Sequence, residues 1–441
     1  MARHPEPDEG RANAASDEPT EEDPLLSVRD LRTRIDTDDG PLFAVDGVSF
    51  DVDSGETVCL VGESGSGKSV TCESLTGIVP QPPAEIVGGS VAFDGRDLSS
   101  VPDSELRAVR GRRIGHVFQN PSRALDPVYT VGEQVAEPIA IHEDVSRADA
   151  RERAVDLLRR VGIPRADRRA DDYPHEFSGG MQQRVAIATA LAADPDLVIA
   201  DEPTTAVDVT VQARLLDLFR ELGDGGTGLL LVTHDLRVVA AAADRVVVMY
   251  GGTVVERGPV ESVFADPAHP YTQALFDSHG TDRRVGGPAR ARSADDHVVR
   301  GNSPTDNGRG NAPADESVAR GNAPADEPVA RGNTPADESV ARGNAPADES
   351  VARGDVPTDG CRFRKECPYA VEACAGGEQP SFRAVAAEAD RHVASCVHYA
   401  PDGDASEIRA HAASLAASDR RDRNGRGRDA DRDTAERGDR R

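Results

Sequence analysis

The chain has 441 residues, room for about two to three domains, and 78 acidic against 51 basic residues give it a net charge of −27. That balance argues against non-specific nucleic-acid binding and gives the heavily solvated acidic surface of proteins adapted to high salt. No apolar run reaches the roughly 18 residues of a membrane-spanning helix, and the acidic N-terminus is unlike a secretory signal, so a soluble, cytosolic protein is expected.

Residues 1–24 are rich in Pro, Glu, Asp and Ala and read as disordered. From Leu26 the apolar positions alternate through Phe43 to Phe50, which predicts strands joined by a turn at Asp38-Asp39-Gly40. The apolar run Thr57-Val58-Cys59-Leu60-Val61 reads as a buried strand, followed by Gly62-Glu63-Ser64-Gly65-Ser66-Gly67-Lys68-Ser69 and a helix over 70–77. A further strand is predicted over 89–95 and a short helix over 103–110, while 119–190 read as mostly helical, with helices over 147–161 and from Ser178 to Ala192. The run 196–200 reads as a buried parallel strand ending in Asp201-Glu202. A helix over 210–222, a strand over 229–232 and a hairpin over 245–256 complete the pattern. Alternating strands and helices predict an α/β protein with a parallel-sheet core and a β accessory part, spanning 25–278.

Past residue 278 the character changes. An eleven-residue unit, Arg309-Gly310-Asn311-Ala312-Pro313-Ala314-Asp315-Glu316-Ser317-Val318-Ala319, recurs from Arg320, Arg331 and Arg342. With Gly, Asn and Pro in each unit and Val as its one large apolar residue, it neither sustains a helix nor buries a core, so 279–360 reads as a flexible linker. Apolar and Cys content returns over 361–400, and 401–441 reads as a disordered charged tail.

The chemistry starts at the Gly-rich stretch. Buried strand, glycine turn and helix N-terminus in that order are what a phosphate cradle requires, so residues 62–69 and Val70 are candidates for nucleotide binding. Lys68 would place a point charge on the β- and γ-phosphate oxygens, and Ser69 would ligate Mg²⁺. Asp201 fits a carboxylate acting near Mg²⁺, and Glu202 fits a general base or water-positioner. Ser178-Gly179-Gly180-Met181-Gln182 opens a helix and is a second phosphate-binding device, or else a plain N-cap at Ser178. Two such devices imply two ligands, or two chains sharing each ligand.

Residues 62–69, Gln119 within His116-Val117-Phe118-Gln119-Asn120-Pro121, the stretch 178–182, the run 197–202, Ala206-Val207-Asp208 and Thr233-His234-Asp235 follow the order of an ABC-transporter ATPase, which residues 25–278 resemble. The resemblance implies a P-loop NTPase cassette with an antiparallel β subdomain and a helical subdomain. It also implies a head-to-tail dimer holding ATP between the phosphate loop of one subunit and the Ser-Gly-Gly segment of the other. Gln119 would contact Mg²⁺ or the attacking water, Asp208 would sit at the dimer interface, and His234 would contact the γ-phosphate. Residues 120–134, Tyr173-Pro174-His175-Glu176, 204–212 and 266–272, with Met181, resemble the dipeptide/oligopeptide importer subfamily. The aromatic that stacks on adenine in such proteins would fall near Ile35, which cannot stack; Phe43 is the substitute, or else a core residue of its strand.

Cys361, Cys367, Cys374 and Cys396 lie within about 36 residues, which in a cytosolic protein suggests a metal site before disulfides. Zinc, an iron–sulfur cluster and free thiols are all open on spacing alone, with His398 a substitute ligand or else a surface residue. The segment 360–369 resembles the C-terminal extension of the peptide importers, which favours a [4Fe–4S] cluster with a structural or sensing role. The implied function is ATP hydrolysis powering peptide import through two transmembrane permease subunits, with a second ATPase subunit and, indirectly, an extracytoplasmic solute-binding protein. The chain would then sit on the cytoplasmic face of the membrane, with no nucleic-acid partner. Nickel or another small solute as cargo, and a soluble ABC protein acting on ribosomes or DNA, are the alternatives.

Overall fold

Alternating apolar residues from Leu26 fold as a long hairpin, β1 (Leu26–Thr37) with β2 (Gly40–Val52), before β3 (Thr57–Val61) enters a second sheet. The computed structural model describes residues 23–205, 207–278, 356–385 and 391–414. The expectations for 1–22, for the repeats within 279–355 and for 415–441 lie outside the described residues.

β4 (Ala84–Phe93) and β5 (Arg96–Asp97) return to the hairpin, completing a four-stranded antiparallel sheet in the order β2-β1-β4-β5. β6 (Ile114–Val117), β7 (Leu197–Asp201), β8 (Gly228–Val232) and β9 (Arg245–Tyr250) join β3 in a parallel core ordered β9-β3-β8-β7-β6. Every residue of β3 and β8 is buried. That explains their unbroken apolar sequences, since a parallel strand covered on both faces has no polar side to alternate with. At the β9 edge the sheet turns antiparallel through β10 (Thr253–Pro259) and the two-residue strands β11 (Arg383–Ala384) and β12 (Val393–Ala394).

α1 (Lys68–Leu75) starts directly after the glycine turn, two residues before its predicted start, and α2 (Asp103–Val109) follows β5. α3 (Pro121–Ala124), α4 (Val131–His142), α5 (Arg147–Arg160) and α6 (Ala166–Arg169) form a helical subdomain against α7 (Gly179–Leu191). Its core includes Val135, Ile139, Ala154, Leu158 and Val185, all fully buried, at about 1.5–3 kcal/mol for each large aliphatic side chain. Thr130 and Glu133 form a reciprocal capping box at the start of α4, which fixes where that helix begins. α8 (Val209–Asp224), α9 (Leu236–Ala242), α10 (Val260–Ala265) and α11 (Pro270–Ser278) complete the cassette.

The cysteine-bearing segment packs onto the cassette. β12 pairs with β10, matching Glu256 with Ala394. Two boundaries differ from the sequence reading. Pro357 is buried before residue 360. Residues 406–414 form a helix, α12, that buries Ile408 and Ala412, so the expected disordered tail does not begin at 401. Those two apolar residues, four positions apart on one helix face, give α12 a stripe to bury that the surrounding charges hide from a composition-based reading.

Candidate nucleotide-binding and hydrolytic site

The phosphate loop turns on two glycines. Gly62 has φ +151° and Gly67 φ +100°, and a Cβ at either would come within 2.2 Å of a backbone oxygen, that of Met249 or Ala44 respectively. Only a residue without Cβ fits. Lys68 is buried, and its ammonium donates to Gly62 O at 2.8 Å, Glu63 O at 2.7 Å and Ser66 Oγ at 3.2 Å. Burial lowers its pKa against the opposing pull of the Glu202 and Asp201 carboxylates.

β7 delivers the carboxylates. Burial pushes the Asp201 carboxyl up, opposed by a hydrogen bond from Ser69, and Asp201 Oδ1 is buried with no hydrogen-bond partner. An orphaned carboxylate oxygen beside the Ser69 hydroxyl fits a Mg²⁺ with its waters, because such an ion keeps much of its hydration shell and needs few protein ligands. Glu202 stands at φ +48°, a left-handed conformation that costs a non-glycine residue free energy and recurs at functional sites. Its N–H donates to Val232 O at 2.9 Å, tying it to β8. His234 Nδ1 lies 3.0 Å from Glu202 Oε1, and Thr205 donates to Oε2 at 2.9 Å. Burial pushes the Glu202 carboxyl up, but hydrogen bonds from His234, Thr205 and Gln119 outweigh it and hold it below the ordinary range. An ionised Glu202 bounded by Lys68, Asp201, Gln119 and His234 is equipped to align and deprotonate a water.

The stretch 178–182 is not joined to this cluster by any hydrogen bond among the described residues. Ser178 is exposed and stands at the N-cap of α7, where its backbone oxygen accepts the Met181 and Gln182 N–H at 2.8 and 2.9 Å while its hydroxyl makes no capping bond. Gly179 is exposed, Gly180 and Met181 are half-buried, and Gln182 Nε2 donates to Pro174 O at 2.8 Å. Asp208 caps α8 through bonds from the Thr210 and Val211 amides, each 3.0 Å. Phe43 is 45% exposed on β2, so it is not a core residue of its strand, and its neighbour Ala44 borders Gly67. Thr205 and Tyr271 both touch the site and carried no role in the sequence reading; the Tyr271 hydroxyl accepts the Glu63 N–H at 2.9 Å. Nothing in their local sequence points to those contacts.

All four C-terminal cysteines are free, three of them buried and Cys367 half-buried. Burial pushes the Cys367 thiol up to about 11 and the Cys396 thiol up to about 12, with neighbouring cysteines adding to the rise against backbone hydrogen bonds. The Cys361 N–H donates to Cys374 O at 3.1 Å. Among the described residues, however, no group of three or more His, Cys, Asp or Glu is arranged to hold a metal ion. His398 is not a free ligand, since its two ring nitrogens contact Tyr369 O and Asp404 O. No helix among the described residues is long and apolar enough to cross a membrane.

Residues 45–205 match the ABC transporter family, and 255–287 with 329–374 match the oligopeptide/dipeptide transporter C-terminal region. The chain is 50% identical over 258 residues to the oligopeptide transport ATP-binding protein OppD of Bacillus subtilis, covering 58% of this chain and 72% of that protein. It is 47% identical over 262 residues to the dipeptide transport ATP-binding protein DppD of Lactococcus lactis, covering 59% and 75%. Among solved structures it resembles the ATP-binding cassette MJ0796 in a dimeric post-hydrolysis state bound to ADP and Pi. That match has 29% identity and a TM-score of 0.50, over 53% of this chain and 98% of the other.

Proposed function

For a chain that belongs to the ATP-binding subunits of oligopeptide and dipeptide ABC transporters, we propose the following division of labour. Residues 62–70 cradle the phosphates of ATP, with Lys68 transferring its ammonium from the Gly62 and Glu63 carbonyls to phosphate oxygens. Phe43 stacks on the adenine. Ser69, Asp201 and Gln119 hold Mg²⁺, which when bound neutralises charge on the phosphates. Glu202 aligns the attacking water and takes its proton, while His234 fixes the Glu202 carboxylate and reaches toward the γ-phosphate.

The observation that carries this reading is Glu202, ionised in a left-handed backbone position and held by His234 and Thr205. The uncommitted Ser178 hydroxyl and exposed Gly179 amide supply the second half of the site to a homologous partner subunit, head to tail, with Asp208 at the interface. ATP closes the dimer and hydrolysis reopens it, driving two transmembrane permeases at the cytoplasmic face of the membrane. A solute-binding protein delivers di- or oligopeptides to those permeases. The test is reconstitution of the chain with its permeases in vesicles. Peptide uptake should require hydrolysable ATP and cease with Glu202→Gln; uptake that proceeds with Glu202→Gln overturns the assignment.

Cys361, Cys367, Cys374 and Cys396 are proposed to hold a [4Fe–4S] cluster, which would supply a covalent cross-link between separate turns of the extension. Support comes from four free cysteines, three of them buried and one half-buried, in one short extension, a residue type that holds such clusters. Protein prepared without oxygen should be brown and contain iron and sulfide, and Cys374→Ser should lose both. A colourless preparation containing zinc overturns the cluster. The acidic composition is read as an adaptation to high salt.

A further inference from the structure

We propose that Tyr271 is a positioning residue for the phosphate loop and that the cysteine-bearing extension holds it in place, so that the extension sets how tightly the loop takes MgATP; this rests on the ATP-binding reading above. The Glu63 N–H donates to Tyr271 Oη at 2.9 Å. A planar trans peptide points its N–H and C=O to opposite edges. On the opposite edge of that same peptide, Gly62 O accepts from Lys68 Nζ at 2.8 Å. One peptide plane is therefore pinned by Tyr271 on one side and by the phosphate-binding lysine on the other. If the Tyr271 hydroxyl is removed, the plane is free to rotate and the start of the phosphate loop loses its set position beside Lys68.

Tyr271 is 1% exposed, and the extension reaches it by two routes, with a third to Gln273 on the same helix. Phe363, between Cys361 and Cys367, packs edge-on against the Tyr271 ring at 5.5 Å between centroids and against Tyr250 at 5.2 Å. Tyr250 in turn lies 4.6 Å from Tyr271 and donates its hydroxyl to Glu366 Oε1 at 2.7 Å. Just before β12, His392 Nε2 meets Glu256 Oε1 at 2.8 Å, while Glu256 Oε2 accepts the His269 N–H at 2.8 Å. His269 Nδ1 then accepts the Tyr271 N–H at 3.1 Å. From α12, Ile408 O accepts Gln273 Nε2 at 3.0 Å, and His411 Nδ1 meets Gln273 Oε1 at 3.0 Å. Packing alone would be served by phenylalanine at 271; the hydroxyl is needed for the Glu63 amide.

The test uses the full chain and measures MgATP affinity together with the KM and kcat of hydrolysis. Because the clamp shapes the cradle for substrate and transition state alike, its loss falls on binding rather than on kcat. Tyr271→Phe should raise Kd and KM for ATP about three- to tenfold with kcat unchanged, while the lost hydrogen bond lowers the unfolding temperature by no more than a few degrees. A purely structural tyrosine would lower the unfolding temperature and leave KM alone. Phe363→Leu should also raise KM, and the double variant should fall well short of the product of the two factors. A Kd for Tyr271→Phe within twofold of the unsubstituted chain overturns the clamp, and factors that multiply overturn its link to the extension. An unsubstituted chain that binds no MgATP overturns the nucleotide reading and this one together.

Discussion

His234 Nδ1 lies 3.0 Å from Glu202 Oε1, although 32 residues separate the two in sequence. The contact arises because β7 and β8 are adjacent parallel strands whose C-terminal ends carry Glu202 and His234. With the Thr205 hydrogen bond, it holds the Glu202 carboxyl below the ordinary range against burial. Glu202→Gln keeps the shape but cannot take a proton, so ATP affinity should be retained while kcat falls about 10²- to 10⁴-fold. Steady-state hydrolysis beside equilibrium nucleotide binding measures both.

Gly67→Ala is expected to fail for a different reason. The new Cβ would meet Ala44 O at 2.2 Å from a φ of +100°, a clash with backbone that no rotamer relieves. Left-handed strain alone costs about 1–2 kcal/mol, and any shift of the turn misaligns the loop amides. ATP affinity should drop at least about tenfold and the melting temperature should fall by several degrees.

The stability of the protein should decline in mild acid through His116. Burial lowers its pKa to about 4, whereas the unfolded chain takes up the proton near 6.5. Between those values the unfolded state binds more protons, so the stabilisation is complete above about pH 6.5 and is lost as pH falls toward 4. From pH 7 to pH 5 the unsubstituted chain should lose about 2 kcal/mol more than His116→Gln, at about 1.4 kcal/mol per unit. Urea unfolding at the two pH values reads the difference.

Glu256 is 0% exposed and accepts the Ala268 and His269 amides as well as contacting His392. Removing the carboxylate strands three buried polar groups. Glu256→Ala should cost about 3–5 kcal/mol and Glu256→Gln about 2 kcal/mol, checked by urea unfolding monitored at constant pH.

At a net charge of −27, self-repulsion opposes the compact state and salt screens it. Raising KCl from 0.1 M to 2 M, both chosen as test concentrations on the order of weak and strong screening, should therefore raise the melting temperature. A melting temperature that stays level or falls would count against the high-salt reading.

What could be read from the sequence was local. The phosphate loop, β7 with its two carboxylates, and the Ser178 helix start each announce themselves because one strand, one turn or one cap dictates the residue types over a few positions. The hidden α12 and the early docking of Pro357 were not legible, since charged and Pro-rich stretches look alike whether or not a cassette surface waits to receive them. Thr205 and Tyr271 escaped for the same reason: a hydroxyl beside a carboxylate or an amide has no signature along the chain.

The sequence by itself determined the strand, glycine turn and helix start of a phosphate loop at 62–69, because glycine geometry and a buried strand are short-range requirements. Tertiary structure decided the rest. Strand order brought His234 to Glu202 and left Ser178 outside their cluster. The fold also brought the Tyr271 hydroxyl to the Glu63 amide and packed Phe363 against the Tyr271 ring. Such contacts join positions up to about two hundred residues apart, where only the closing of the fold fixes which groups meet.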